Sequence, residues 1–240
     1  MTRRIWPLIA AAILMTAAVA GAQTFVRLST DAGDVLLEMK PEVAPGHVAN
    51  FLHLGSTGFY TGTTFHRVIP GFMIQGGDPL SKNDTRADDG TGGPEWTDVL
   101  TAEESAKVQE VVAMLEARGY AGLPTQAAVK AEFNDTSHLR GVLSMARSQN
   151  PDSGGSQFFI CVADASQLDH KYTAFGEVVT GLETVDEIVS ADRDRNDNPL
   201  QPVHITGFEV VEGLDALTAD ERAAREAEDA GATAEGTTAD

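Results

Sequence analysis

Residues 65–78, FHRVIPGFMIQGGD, constrain the fold of this chain more than any other stretch. Apolar and polar residues alternate on both sides of Pro70-Gly71, which is a strong turn signal. Such alternation is typical of strands that are buried on one face, so the stretch predicts two short strands joined by a tight turn. The side chains that share a face of this hairpin then decide what it can bind.

Successive side chains of a strand point to opposite faces, so alternate residues lie together. We therefore expect Phe65, Arg67 and Ile69 on one face of the first strand. Met73 and Gln75 are expected together on the second strand. An arginine and an amide among apolar side chains are unusual in a core, and they suit a groove that binds a peptide carbonyl.

Three further blocks follow the hairpin: residues 141–147 (GVLSMAR), 155–160 (GSQFFI) and 168–176 (LDHKYTAFG). With these four blocks in this order, the chain resembles the cyclophilin family of peptidyl-prolyl cis-trans isomerases. The resemblance covers roughly Phe25 to Val211.

The remaining pattern predicts a mainly β fold. Apolar alternation, or short apolar runs between glycines, predicts strands at 24–30, 35–39, 141–146, 157–162, 173–179 and 204–211. Apolar residues spaced by three and four predict helices at 45–56 and 182–190. The resemblance implies a closed, eight-stranded antiparallel barrel with one of these helices over each end.

One segment, about residues 97–128, departs from the family pattern. It contains the capping-box sequence TAEE at 101–104, and apolar residues at helical spacing follow before Gly119. We therefore predict an inserted amphipathic helix. Two interpretations stay open: the helix packs on the barrel as decoration, or it borders the groove and selects substrates or binds a partner.

The first 22 residues are predicted to be a secretory signal peptide. Arg3 and Arg4 precede an apolar run, and Ala20-Gly21-Ala22 matches the small residues before a cleavage site. Cleavage is expected before Gln23, with cleavage before Gly21 as an alternative and an uncleaved membrane anchor as another. We expect a periplasmic protein with no stable membrane association after cleavage.

Net charge limits the classes of partner, and composition indicates where the folded domain ends. The chain has 17 basic and 36 acidic residues, a formal net charge of −19, which repels nucleic acid. Residues 214–240 are acidic and poor in apolar side chains, so we expect a disordered tail after an isomerase domain at 23–213. Within this tail, residues 218–229 are rich in helix-forming residues, so the segment can form a transient helix. Cys161, the single cysteine, is expected to be a buried apolar residue.

The resemblance implies a role for each matching residue. Arg67 and Gln75 match the family's catalytic arginine and the glutamine that holds it in register. The substrate-binding residues that match are Phe72, Met73, Gly90, Ala146, Arg147, Gln157, Phe159, Leu168 and Tyr172. Two positions depart from many members: Gln167 replaces a tryptophan, and Tyr172 replaces a histidine.

The sequence therefore predicts a monomeric isomerase that rotates Xaa-Pro bonds in unfolded exported proteins and other proline-containing polypeptides. No cofactor is expected, because rotation requires no nucleophile or metal, and no histidine pair has the spacing of a helical zinc site. The alternative is a module that binds proline segments, or a chaperone, with little turnover. The complete set of Arg67, Phe72, Gln75 and Phe159 argues against that alternative.

Overall fold

The computed structural model describes residues 23–95, Asp98 and residues 127–235, with side chains described as far as residue 227. The predicted signal peptide and nearly all of the predicted insertion therefore lie outside the described residues. Within the described ranges, none of the helices combines the length and the apolar character that a membrane span needs.

Eight antiparallel strands form one sheet in the spatial order β3-β4-β6-β5-β7-β2-β1-β8. The strands are β1 (Thr24–Thr30), β2 (Gly33–Met39), β3 (Arg67–Ile69), β4 (Met73–Gly76), β5 (Val142–Met145), β6 (Phe158–Cys161), β7 (Ala174–Thr180) and β8 (Ile205–Glu212). The predicted strands are confirmed, and their ends shift by one or two residues.

The sheet curls but does not close, so the prediction of a closed barrel is wrong. β3 and β8 are its two edge strands. A single bridge joins Thr64 to His204, and the Phe65 amide donates to the Val203 carbonyl at 3.1 Å. The backbone hydrogen bonds between the two edges join residues 62–65 to residues 203–205, whereas β3 itself pairs with β4 and forms no ladder with β8. The result is an open half-barrel.

Two helices pack on the curled sheet, α1 (Pro45–Ser56) and α2 (Leu182–Val189), as predicted. Both present apolar residues to the large core inside the half-barrel, including Phe51 and Leu54 from α1 and Val185 and Ile188 from α2, all fully buried. This core lies on the concave side of the sheet and leaves the opposite face of its strands available for a site.

The amino end of α1 is held by a residue from another part of the chain. Ala44 precedes the helix and supplies no side-chain cap. Instead, the Glu132 carboxylate accepts hydrogen bonds from the Gly46 and His47 amides, both at 2.9 Å, and lies 2.7 Å from His47 Nδ1. Burial opposes ionisation of Glu132, but these hydrogen bonds outweigh it and lower the pKa of its carboxyl. The segment that follows residue 127 is thereby fixed to α1.

Residues 214–235, the described part of the expected disordered tail, are ordered. Residues 219–235 form the third α-helix of the described residues, α3 (Ala219–Glu235). Just before it, Leu217 is buried and packs against apolar side chains of the sheet, namely Phe25, Leu36, Val179 and Val211. Arg27 donates from Nε and Nη2 to the Glu221 carboxylate, at 2.9 Å each. A second ion pair joins Arg225 of α3 to Glu38 of β2 at 2.8 Å. Leu217 and these two ion pairs therefore attach a segment whose composition alone predicts no packing.

We expect the attachment of α3 to weaken as the pH falls. The hydrogen bond from Arg27, helped by Thr218, lowers the pKa of Glu221 to about 2 from 4.5. Since the folded-state pKa is the lower one, this stabilisation is complete above the ordinary value of 4.5 and is lost as the pH falls towards 2. Glu221→Gln should cost about 1 to 3 kcal/mol of unfolding free energy at pH 7, and the cost should shrink at acid pH.

Chemical denaturation of the wild type and of Glu221→Gln between pH 7 and pH 2 measures this difference. Glu209→Gln is the matched control, because Glu209 also pairs with Arg27 but its side chain is 63% exposed. A difference between Glu221→Gln and the wild type that stays constant over the whole pH range would contradict the assignment of Glu221.

Candidate active site

The hairpin of β3 and β4 presents its functional side chains on the convex face of the sheet. Arg67 is directly opposite Gln75 in the strand register, and Ile69 is opposite Met73. The residues between them, Val68 and Ile74, are fully buried in the core on the other face. The predicted grouping of Arg67 and Ile69 on one face is thereby confirmed, with Met73 and Gln75 beside them.

Phe65 does not share this face, so that part of the hairpin prediction is wrong. Its ring is fully buried in the main core and meets Phe158 edge-on, with the ring centroids 6.2 Å apart. β3 begins only at Arg67, and the alternation of a strand does not extend to the irregular residues before it.

A patch of apolar side chains adjoins Arg67 on the convex face. Its buried members are Met73, Phe159, Cys161 and Ala165, and its partly exposed members are Ile69, Phe72, Ala146, Leu168 and Tyr172. We call these nine residues the apolar patch. The Phe159 and Tyr172 rings meet edge-on at 5.8 Å. Cys161 is buried, as predicted, and belongs to the patch. Burial raises the pKa of its thiol to about 12, which disfavours the reactive thiolate.

Three hydrogen-bonded side chains, Asp169, His138 and Ser144, lie beneath the patch. The sequence analysis assigned them no role. Asp169 Oδ1 lies 2.9 Å from His138 Nδ1, and His138 Nε2 lies 2.9 Å from Ser144 Oγ. The His138 ring stacks on Phe159 at 6.1 Å with an interplanar angle of 18°. Ser144 is fully buried and donates to the Thr173 carbonyl, so it cannot attack a substrate. These hydrogen bonds hold the His138 ring, which in turn fixes the ring of Phe159 in place.

A cavity of about 480 Å³ adjoins the patch beyond Gln75. Gln75 Nε2 donates to Gln157 Oε1, and Gln157 Nε2 donates to the Gly92 carbonyl, both at 2.8 Å. These two glutamines form the wall between the patch and the cavity. Other lining residues include Gly90, Ala146 and Arg147.

The loop that closes this cavity depends on one buried carboxylate. Asp78, with no exposed surface, accepts hydrogen bonds from the amides of Leu80, Gly90 and Gly92. Gly90 has a φ of 84°, which favours glycine over residues with a Cβ atom. At the same rim the Ala127 amide, near the carboxyl end of the predicted insertion, donates to the carbonyl of Pro94, which precedes the insertion, at 2.8 Å.

Residues 25–210 match the family model described as cyclophilin type peptidyl-prolyl cis-trans isomerase/CLD. The chain belongs to the cyclophilin family. This cyclophilin is a peptidyl-prolyl cis-trans isomerase by family, in agreement with the names of its relatives. The prediction of an isomerase of the cyclophilin type is confirmed.

The relatives are bacterial and eukaryotic. A probable peptidyl-prolyl cis-trans isomerase of Brucella suis biovar 1 is 38% identical over 187 residues, which are 76% of this cyclophilin and 80% of the relative. Peptidyl-prolyl cis-trans isomerase A of Dickeya dadantii is 36% identical and is matched over 85% of this chain and 92% of its own. A crystal structure of a Cryptosporidium parvum cyclophilin type isomerase matches with a TM-score of 0.61 and 28% identity, over 78% and 97% of the two chains.

The structure of this cyclophilin places the predicted site residues in the apolar patch, along the cavity and, for Arg67, opposite Gln75. The apolar patch contains six of the nine predicted substrate-binding residues, and the other three, Gly90, Arg147 and Gln157, line the cavity. Gln167 lies in a short 3-10 turn beside Leu168, and its carbonyl accepts from Lys171 Nζ at 3.0 Å. Among the residues that the structure describes, no group of three or more His, Cys, Asp or Glu side chains could hold a metal ion.

Proposed function

We propose that Arg67, aided by Gln75, catalyses rotation about Xaa-Pro bonds in polypeptides that bind along the apolar patch. One observation carries this assignment: Arg67 is exposed opposite Gln75, beside the patch, and makes no ion pair within the described part of the chain. A guanidinium with no carboxylate partner keeps its charge and its donors for a substrate.

Elementary chemistry explains why this arrangement suffices. Rotation about a peptide bond faces a barrier of roughly 18 to 20 kcal/mol, because amide resonance is lost as the bond twists. In the twisted state the proline nitrogen becomes a better hydrogen-bond acceptor, and a fixed donor stabilises that state more than the planar one. The planar, permanently charged guanidinium of Arg67 supplies donors of this kind once a substrate lies on the patch.

The apolar patch would hold the proline ring while the bond rotates. Phe159 is 95% buried and is fixed from below by His138 and from the side by Tyr172, so the surface is preformed. A Cryptosporidium parvum neighbour, with a TM-score of 0.60 and 29% identity, was crystallised in the presence of the dipeptide Ala-Pro. This supports proline-containing peptides as the substrate class.

The experiment for this function uses the chain from Gln23. We expect it to accelerate the isomerisation of an Ala-Pro tetrapeptide and the refolding of a protein whose slow phase is proline isomerisation. Binding of the peptide with no acceleration of either process would instead support a proline-binding module with little turnover.

The site of action is a separate proposal, that the enzyme assists folding outside the cytoplasm. It rests on the basic start, apolar run and small-residue end of residues 1–22. Fusing residues 1–30 to a periplasm-dependent reporter tests it, and reporter activity that survives removal of the apolar run would contradict export by this segment.

The inserted segment is proposed to border the substrate groove. Pro94, which precedes the segment, and Ala127, near its carboxyl end, both line the cavity beside Gln157. Deleting residues 98–126 should change the ratio of rates on a refolding protein and on a short peptide, and an unchanged ratio would assign the segment a decorative role.

A further inference from the structure

Arg147 lies at the boundary between the apolar patch and the cavity beyond Gln75. The preceding residue, Ala146, belongs to the apolar patch, and its amide donates to the Gln157 carbonyl at 2.9 Å. Arg147 itself and the following Ser148 line the cavity. A peptide whose proline lies on the patch must therefore extend past the Arg147 side chain if its neighbouring residues enter the cavity.

The guanidinium of Arg147 is already ordered without a substrate. It lies over the Tyr172 ring, 4.5 Å from the centroid. Nε and Nη2 donate to the Lys171 carbonyl at 3.0 and 2.8 Å, and Nη1 donates to the Ser148 carbonyl at 2.8 Å. Because arginine has five N–H donors, these bonds leave two free. A guanidinium that is already held in one position loses little conformational entropy when it binds an anion.

The positive charge of Arg147 is not neutralised. All its acceptors are backbone carbonyls, and it makes no ion pair with any residue that the structure describes. Asp152 also lines the cavity, but its Oδ1 accepts from the Ala131 amide. Elsewhere, carboxylates hold the arginines at positions 27, 140, 193 and 225. Arg67 and Arg147 thus place two available cations beside the patch of a protein with net charge −19.

We propose that Arg147 is a specificity-determining residue that favours substrates with a carboxylate side chain within two residues of the proline. The inference rests on the proposed function, because it assumes that the peptide lies on the apolar patch. A carboxylate there can accept the free donors of the ordered guanidinium. Glutamate should raise kcat/KM about three- to tenfold over glutamine at the best position, the range of an exposed to partly desolvated charged hydrogen bond.

The test uses peptides that differ only at the positions flanking an Ala-Pro unit, where glutamate, glutamine or lysine is placed in turn. The readout is the ratio of kcat/KM for the glutamate and glutamine peptides, so a general loss of activity in a variant cancels. Arg147→Gln should bring the ratio to about one, and Arg147→Glu should reverse it in favour of lysine. Arg147→Lys should keep part of the preference because it retains the charge but not the fork.

Arg195→Gln is the matched control, since Arg195 is an exposed arginine in a loop and its loss changes the net charge equally. Its glutamate preference should equal that of the wild type. Equal rates for glutamate, glutamine and lysine peptides, or a preference that survives in Arg147→Glu, would overturn the inference. Absence of turnover on every peptide would instead count against the proposed function itself.

Discussion

Replacing Arg67 by alanine should lower kcat/KM for an Xaa-Pro peptide by about 10²- to 10³-fold, the usual cost of removing one donor that stabilises a transition state. Arg67 is the donor that the β3–β4 hairpin places opposite Gln75 and beside the apolar patch. The loss should appear mainly in kcat, because the patch that binds the proline remains intact. A coupled or NMR-based isomerisation assay measures it.

Three controls separate chemistry from folding in that experiment. Arg67→Lys should recover little of the rate, because an ammonium lacks the planar fork. Arg195→Ala, which removes an exposed arginine outside the site, should leave the rate unchanged. The denaturation midpoint of Arg67→Ala should match the wild type, since the side chain is exposed and makes no ion pair among the described residues. Full activity in Arg67→Ala would refute the catalytic assignment.

The elements that the sequence predicts correctly are those fixed by local patterns. Alternation across Pro70-Gly71 is enough to place Arg67 and Gln75 on one face, since a tight turn determines the register of a hairpin. The spacing of apolar residues likewise predicts α1 and α2 nearly to their ends. In each case neighbours in sequence decide the outcome.

The features that sequence reasoning missed depend on residues far apart in the chain. Closure of the barrel requires pairing between β3 and β8, which no local pattern reports. His138 and Asp169 are 31 positions apart, and no sequence motif predicts the hydrogen bond between them. The attachment of α3 includes the ion pair of Arg27 and Glu221, which are 194 positions apart, so composition alone favoured a disordered tail.

The largest loss of stability is expected from Phe51→Ala. Phe51 projects from α1 into the core with no exposed surface. Its ring centroid lies between 5.1 and 5.3 Å from those of four other aromatic residues, Tyr60, Phe158, Phe175 and Phe208. Truncation removes these contacts and leaves a cavity that rigid rings cannot fill, so it should cost about 3 to 5 kcal/mol of unfolding free energy. Denaturant titration measures the loss.

Phe51→Leu should cost less, because it keeps most of the apolar volume. Phe133→Ala is the matched control, since that phenylalanine is 42% exposed and its removal should change stability little. Under conditions where the variant stays folded, kcat/KM should remain near the wild-type value, because Phe51 packs on the concave side and Arg67 with the apolar patch lies on the convex side. A large loss of kcat/KM in folded Phe51→Ala would mean that a packing change in the core shifts Arg67 through the strands. The core face and the site face of the sheet would then be structurally coupled.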